Sequence, residues 1–210
     1  MYLNYLIALV LVGFSFASLA IAGPEYCGDN RWIQSGEPKI VKQFSKNFQR
    51  EKDLLRVTIN NGKKVEFRNS DELKYYAKGE DPSQTHAIVM VTGNEYGAYE
   101  LVNLKSGQRL KTDGCPFWSE NGSYFVALNA DLEMRSSENM AALYFSKDSY
   151  VKLTDLVQDK ERSSSGGKGA IWKGNTVTVT LVKEVNGGEP GEVKEFEKTC
   201  TLKNDKATCR

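Results

Sequence analysis

The chain has 210 residues, with 28 Lys and Arg against 27 Asp and Glu, a single His and four Cys. A net charge of +1 gives no global field to attract nucleic acid or an acidic substrate. One histidine cannot build a histidine-rich zinc site, and any Ser-His-Asp or Cys-His mechanism would have to run through it.

The first 22 residues, MYLNYLIALVLVGFSFASLAIA, carry no charge. A short polar start, an apolar run and the small-residue exit Ala20-Ile21-Ala22 form the pattern of a signal peptide. Asn4 and Ser15 interrupt the run, and a membrane span needs about 20 apolar residues. The expectation is cleavage after Ala22 and one β-rich domain over 23–210. The mature protein would be exported, periplasmic or secreted, with no permanent membrane anchor. An even number of cysteines in an exported chain reads as disulfides. Cys200 and Cys209 flank TLKNDKAT, and a turn at Asn204-Asp205 would set them directly opposite each other. Elimination leaves Cys27 for Cys115; free buried thiols or a reactive pair are the alternatives.

In KIVKQFSKNFQ, Ile40, Phe44 and Phe48 recur four apart beside Lys39, Lys42 and Lys46, an amphipathic helix pattern. LLRVTINNGKKVEFRN alternates on both sides of Asn60-Asn61-Gly62, a strong hairpin signal. Ser70 is placed to cap a short helical turn, DELKYYA, stopped at Gly79. HAIVMVTG is a continuous apolar run and reads as a buried strand. Hairpins follow around Lys105-Ser106-Gly107, Asn121-Gly122 and Lys147-Asp148. The polar stretch QDKERSSSGGKG, 158–169, reads as a flexible connection. NTVTVTLVKEV alternates, with Val177, Val179 and Leu181 on one face, and the cysteine hairpin ends the chain. The fold class is therefore all-β, an antiparallel sandwich or twisted meander with one or two short helices, stapled by disulfides.

Two stretches run in parallel order: YELVNLKSGQRLK then PFWSENGSYFVAL, and ALYFSKDSYVKL then AIWKGNTVTVTLV. The turn Phe117-Trp118-Ser119-Glu120-Asn121-Gly122 resembles the aromatic-Trp-Ser-x-Asp-Gly turn of Tol-associated and WD-repeat-like β-propellers, with Asn121 where that family carries Asp. The second stretch has Lys173-Gly174-Asn175 at that place. The resemblance spans about residues 96–182 and implies blade-like hairpins, hence a small or partial propeller as the alternative fold. Trp118 and Trp172 are 54 apart whereas Leu101 and Tyr144 are 43 apart, so the period drifts. Phe117 and Trp118 are expected in the core, with Asn121-Gly122 at a hairpin tip. Asn121-Gly122-Ser123 also matches a glycosylation sequon.

Catalytic supply is thin. His86 opens an apolar strand, where an imidazole usually satisfies a local hydrogen bond. RSSSGGKGA lacks the first Gly and the final Ser or Thr of a phosphate-binding loop, at Arg162 and Gly169. Glu95 with Glu100, and Asp131 with Glu133, are carboxylate pairs that a glycosidase would need to set across a cleft. Asp131, Glu133 and Glu138 lack the calcium-loop pattern. No cofactor, metal or catalytic residue is expected.

Charge is unevenly spread: 39–64 holds eight basic and two acidic residues, and 120–161 holds eight acidic and four basic. The expected role is a non-enzymatic binder that blocks or sequesters a macromolecule, another protein rather than nucleic acid, in the manner of a periplasmic hydrolase inhibitor or toxin-immunity protein. Its contact residues would be Glu95, Tyr96, Asp131, Glu133, Glu138, Arg162 and Lys168, in loops where exposed aromatics and charges make interface anchors. A carbohydrate-active domain using a carboxylate pair, and an envelope-assembly module, are the alternatives.

Overall fold

The computed structural model describes residues 33–93, 97–129, 141–146, 150–158, 160, 164–185 and 191–210. Alternating apolar residues separated by turn-forming pairs dictate hairpins, and hairpins in series make up the molecule. After helix α1 (Ile33–Gln43) come β1 (Phe48–Glu51), β2 (Leu54–Thr58) and β3 (Lys64–Arg68). A second sheet holds β4 (Lys74–Glu80), β5 (His86–Thr92), β6 (Gly97–Asn103) and β7 (Arg109–Thr112). The third holds β8 (Cys115–Trp118), β9 (Tyr124–Leu128), β10 (Ala141–Phe145) and β11 (Val151–Asp155). The fourth holds β12 (Ser165–Lys173), β13 (Thr176–Glu184), β14 (Val193–Lys203) and β15 (Lys206–Cys209). Every sheet is an antiparallel meander in which consecutive strands are neighbours.

The sheets pack face on face. Ala87, Val89 and Val102 point from the second sheet toward a core with Leu55, Val57 and Phe67 of the first, where Ile40, Val41 and Phe44 also pack. Ile88, Met90 and Leu101 point the other way, into a core shared with the third and fourth sheets. Burial on both faces explains why β5 reads as a continuous apolar run rather than an alternating one. The third sheet is tied to the fourth by Trp172 Nε1 donating to Phe117 O at 2.9 Å and Gly167 N donating to Asn129 O at 2.8 Å. Val177, Val179 and Leu181 are fully buried, as their alternation requires, and Phe117 and Trp118 are buried too.

Three expectations need correction. Ser70 Oγ does accept from Leu73 N at 3.0 Å, but the turn stops there. Residues 74–80 are strand β4, with Tyr75 opposite Val91 and Tyr76 opposite Met90, because β-prone aromatics gain a buried partner strand that a one-turn helix lacks. Helix α1 lies upstream of its expected frame: it runs through Pro38 and ends at Gln43, while Phe48 opens β1. Finally, Ser165–Gly169 of the supposed connection belongs to β12, bulged between Gly167 and Gly169. A Cβ at Gly167 would overlap the Leu128 side chain, so glycine here permits close packing of two sheets rather than mobility.

In the final hairpin Asn204 and Asp205 both adopt left-handed φ, 50° and 56°, as a type I′ turn demands. Thr199 and Arg210 exchange two hydrogen bonds of 3.0 Å, leaving the next pair, Cys200 and Cys209, in the closer non-hydrogen-bonded site. They are bridged, with Cα atoms 4.1 Å apart. Replacing both by serine is expected to cost about 3 kcal/mol, the loop-closure value for so short a ring, read as a lower denaturant midpoint. Cys115 is disulfide-bonded as well; its expected partner, Cys27, lies outside the described residues. The bridges are compatible with export, and among the described residues no helix is long and apolar enough to cross a membrane.

Candidate functional site

Antiparallel meanders place successive connections at alternate ends of each sheet. One end gathers the tight turns. Asn60 N donates to Leu104 O at 2.7 Å, and Leu104 N to Thr85 O at 2.8 Å. Ser146 Oγ donates to Gly122 O at 2.8 Å, and the Tyr124 hydroxyl to Asp205 Oδ1 at 3.2 Å. The turns of the first and second sheets, and those of the third and fourth, are thereby fastened together.

Asp81 organises this end. Asp81-Pro82-Ser83 is turn chemistry: the short acid accepts from backbone ahead of it while proline fixes φ. The Asp81 carboxylate accepts from Ser83 N at 3.0 Å, Thr85 N at 2.7 Å and His86 N at 2.6 Å, and from the Ser83 hydroxyl. Burial pushes the carboxyl up, but hydrogen bonds from His86 and Ser83 outweigh it and hold the pKa below the ordinary carboxylate value. His86 is 1% exposed. Its Nδ1 lies 2.8 Å from Thr85 Oγ1 and its Nε2 3.3 Å from Asn103 Nδ2. The ring stacks on Trp118 at 4.8 Å, with Tyr150 at 5.5 Å. Both ring nitrogens are thus engaged inside the protein, as expected of a strand-capping histidine.

The turn after β8 repeats the device with different atoms. Ser119 Oγ accepts from Tyr124 N at 3.1 Å, five residues on, as Asp81 does from His86. Asn121 Oδ1 accepts from Ser123 N at 3.0 Å. Gly122 has φ +67°, and a Cβ there would strike Ser83 and Asp81, so these turns nest only because the residue is glycine. Sequence reasoning took Asn121-Gly122 as a tip and passed over Asp81 and Asn103, although Asp-Pro-Ser is a recognisable turn signal.

Above the turns opens a cleft of about 340 Å³ lined by Asn60, Ser83, Gln84, Thr85, Lys105 and Ser123, with Asn103 and Asn121 in its wall. Amide and hydroxyl groups can hydrogen-bond a polar ligand without transferring protons to it. A second cleft, about 580 Å³, lies where α1 meets β1, with Lys42 and Arg50 over Val41 and Phe48. Arg50 is held by Glu37 Oε1 at 2.5 Å and by Tyr75 O. These two cations belong to the basic stretch 39–64.

The opposite end carries the longer connections, and the charge differs. Among the described residues, the connections there hold Asp53, Asp71, Glu72, Asp113 and Glu192 against Lys52 and Lys160, whereas those at the turn end hold Asp81, Glu120 and Asp205 against Lys63 and Lys105; counted over the sequence alone, the former connections carry twelve acidic and four basic residues. The strand ends Thr92 and Gly97, Leu128 and Ala141, and Asp155 and Ser165 lie at this acidic end. They flank Glu95, Tyr96, Asp131, Glu133, Glu138 and Arg162, which themselves lie outside the described residues. Lys168 is described, exposed on the bulge of β12 and ion-paired with Glu195. Glu100 is drawn to Arg109 at 3.1 Å, an ordinary cross-strand pair. Among the described residues no group of His, Cys, Asp or Glu is placed to hold a metal ion. No protein-family model and no curated protein matches the chain.

Proposed function

We propose that this chain is an exported, non-enzymatic binding protein whose acidic end docks a basic macromolecular partner, blocking or sequestering it as a hydrolase inhibitor or toxin-immunity protein does. The observation that carries this reading is the charge of the segments that connect the strands at the end opposite the tight turns, which in sequence hold twelve acidic against four basic residues. Such a surface steers a cationic protein and sets its orientation. The uncharged leader 1–22 and the disulfides support export. The engagement of His86 inside the turn network supports a scaffold role for that residue.

The polar cleft favours a second reading, a carbohydrate-binding domain, since amide and hydroxyl linings suit a polyhydroxylated ligand. Three successive four-stranded meanders have the strand order of propeller blades, which supports kinship with the propeller hairpins and, with it, the envelope-assembly alternative.

The test uses the chain from Gly23 as bait for proteins of the envelope or surrounding fluid, beside a variant with Asp131, Glu133 and Glu138 changed to Lys. Capture of one basic hydrolase by the native bait is expected, with affinity roughly 30-fold weaker for the variant. Absence of any specific partner from low to physiological salt would overturn the reading. A glycan panel on the same bait then tests the second.

A further inference from the structure

The cleft of about 340 Å³ at the turn end is walled by connections of the first three sheets. Part of its lining is committed to the fold. Asn103 Oδ1 accepts from Lys105 N and Ser106 N, each at 3.0 Å. Thr85 Oγ1 lies 2.8 Å from both Ser83 Oγ and His86 Nδ1. The rest of the lining is not committed. Among the described residues, the side-chain amides of Asn60 and Gln84 and the Ser123 hydroxyl have no hydrogen-bond partner. Asn121 uses its Oδ1 on Ser119 and Ser123 but not its Nδ2. Free amides and a hydroxyl thus line a scaffold whose own bonds are already made.

Gln84 adds a second observation. Its φ is 56°, in the left-handed region that side chains other than those of Asn and Asp seldom adopt. Glycine would take this backbone without strain. The Gln84 side chain makes no hydrogen bond to the protein that would offset the strain. Strain kept without a structural partner marks a position held for what its side chain can reach.

The chemistry of the lining selects the ligand. Among the described residues it holds no carboxylate, aromatic or aliphatic side chain, and Lys105, its one charged residue, already takes part in a further interaction within the protein. Amides and hydroxyls both donate and accept. A ligand displaces their water without loss only where it reproduces those bonds, as sugar hydroxyls do. The volume lies near the lower bound of small-ligand sites, about 300 Å³, which suits one or two rings rather than a long chain. We propose that this cleft binds a neutral mono- or disaccharide unit, held edge-on by Asn60, Gln84, Asn121 Nδ2 and Ser123, with Gln84 setting specificity. The proposal rests on the carbohydrate reading above. It narrows that reading to uncharged sugars without an acetamido group, whose methyl would find no apolar contact.

The experiment titrates the full mature chain, isotopically labelled, with cellobiose, maltose, lactose and mannobiose, and with N-acetylglucosamine and glucuronate as controls. Side-chain amide resonances of Asn60, Gln84 and Asn121 report on the cleft directly. The expected result is that a neutral disaccharide shifts those resonances. Its affinity should fall roughly five- to tenfold in Gln84→Gly and in Asn121→Asp, the loss of one hydrogen bond each. Asn121→Asp keeps the acceptor that Ser119 and Ser123 use, and Gln84→Gly should melt no lower than the native protein because its strain is relieved. Unchanged affinity in both variants, shifts confined to other residues, or a Gln84→Gly protein that melts well below native would overturn the proposal. Tighter binding of glucuronate or N-acetylglucosamine at the same resonances would overturn it while leaving the carbohydrate reading standing. No response to any sugar at millimolar concentration would remove both. The acidic end is tested separately by the pull-down.

Discussion

Replacing Asp81 by alanine is expected to destabilise the fold by about 4 kcal/mol, near the top of single-site effects. The carboxylate accepts from three backbone amides and a hydroxyl. His86 N is buried with its residue, so its loss of a partner is felt in full, whereas Ser83 and Thr85 lie nearer water. Each buried donor left unpaired costs about 1–3 kcal/mol. Asp81→Asn keeps one acceptor oxygen but turns a donor toward backbone donors, and should lose about half as much. The same residue sets an acid limit. Its pKa in the folded state lies below the ordinary 3.8, so its contribution is present in full above that value and is lost as pH falls through the folded-state pKa. Denaturant midpoints from pH 2 to 6 should therefore show a steeper acid limb for the native chain than for Asp81→Asn. Equal limbs would mean that the carboxylate is not held as its bonds imply.

Phe125→Ala is expected to cost about 4 kcal/mol, or roughly 12 °C in melting temperature. The ring is fully buried, stacked on Tyr144 at 4.8 Å and packed against Trp118 at 4.6 Å. Trp118 in turn carries His86, so the cavity would open beneath the turn network. Loss of near-ultraviolet ellipticity should accompany the fall, and Phe125→Leu should recover most of both. Aromatic pairs add to simple burial, and for that reason the leucine variant should still fall short of native stability.

Both residues show where reading the chain succeeds and where it stops. PFWSENGSYFVAL announces a hairpin with a buried aromatic strand, because alternation and Asn-Gly are local properties. The chain cannot announce that Phe125 lies in the same core as Leu181 of another sheet. Asp81 is visible as a turn residue, but its role depends on Gly122 and Ser83 nesting across two sheets. Lys168 looked like part of a loose linker; packing of Gly167 on Leu128 made it a strand residue.

By itself the sequence determined the hairpins, the cysteine pair at the final turn, the buried run of β5 and the all-β class. Each rests on contacts between residues near in the chain, where period and turn chemistry decide. Tertiary structure decided the rest: the face-on-face stacking of the sheets, the fastening of the turns at one end, and which connections leave from the other. Which connections share an end depends on strand order, which adds charges from distant segments into one field.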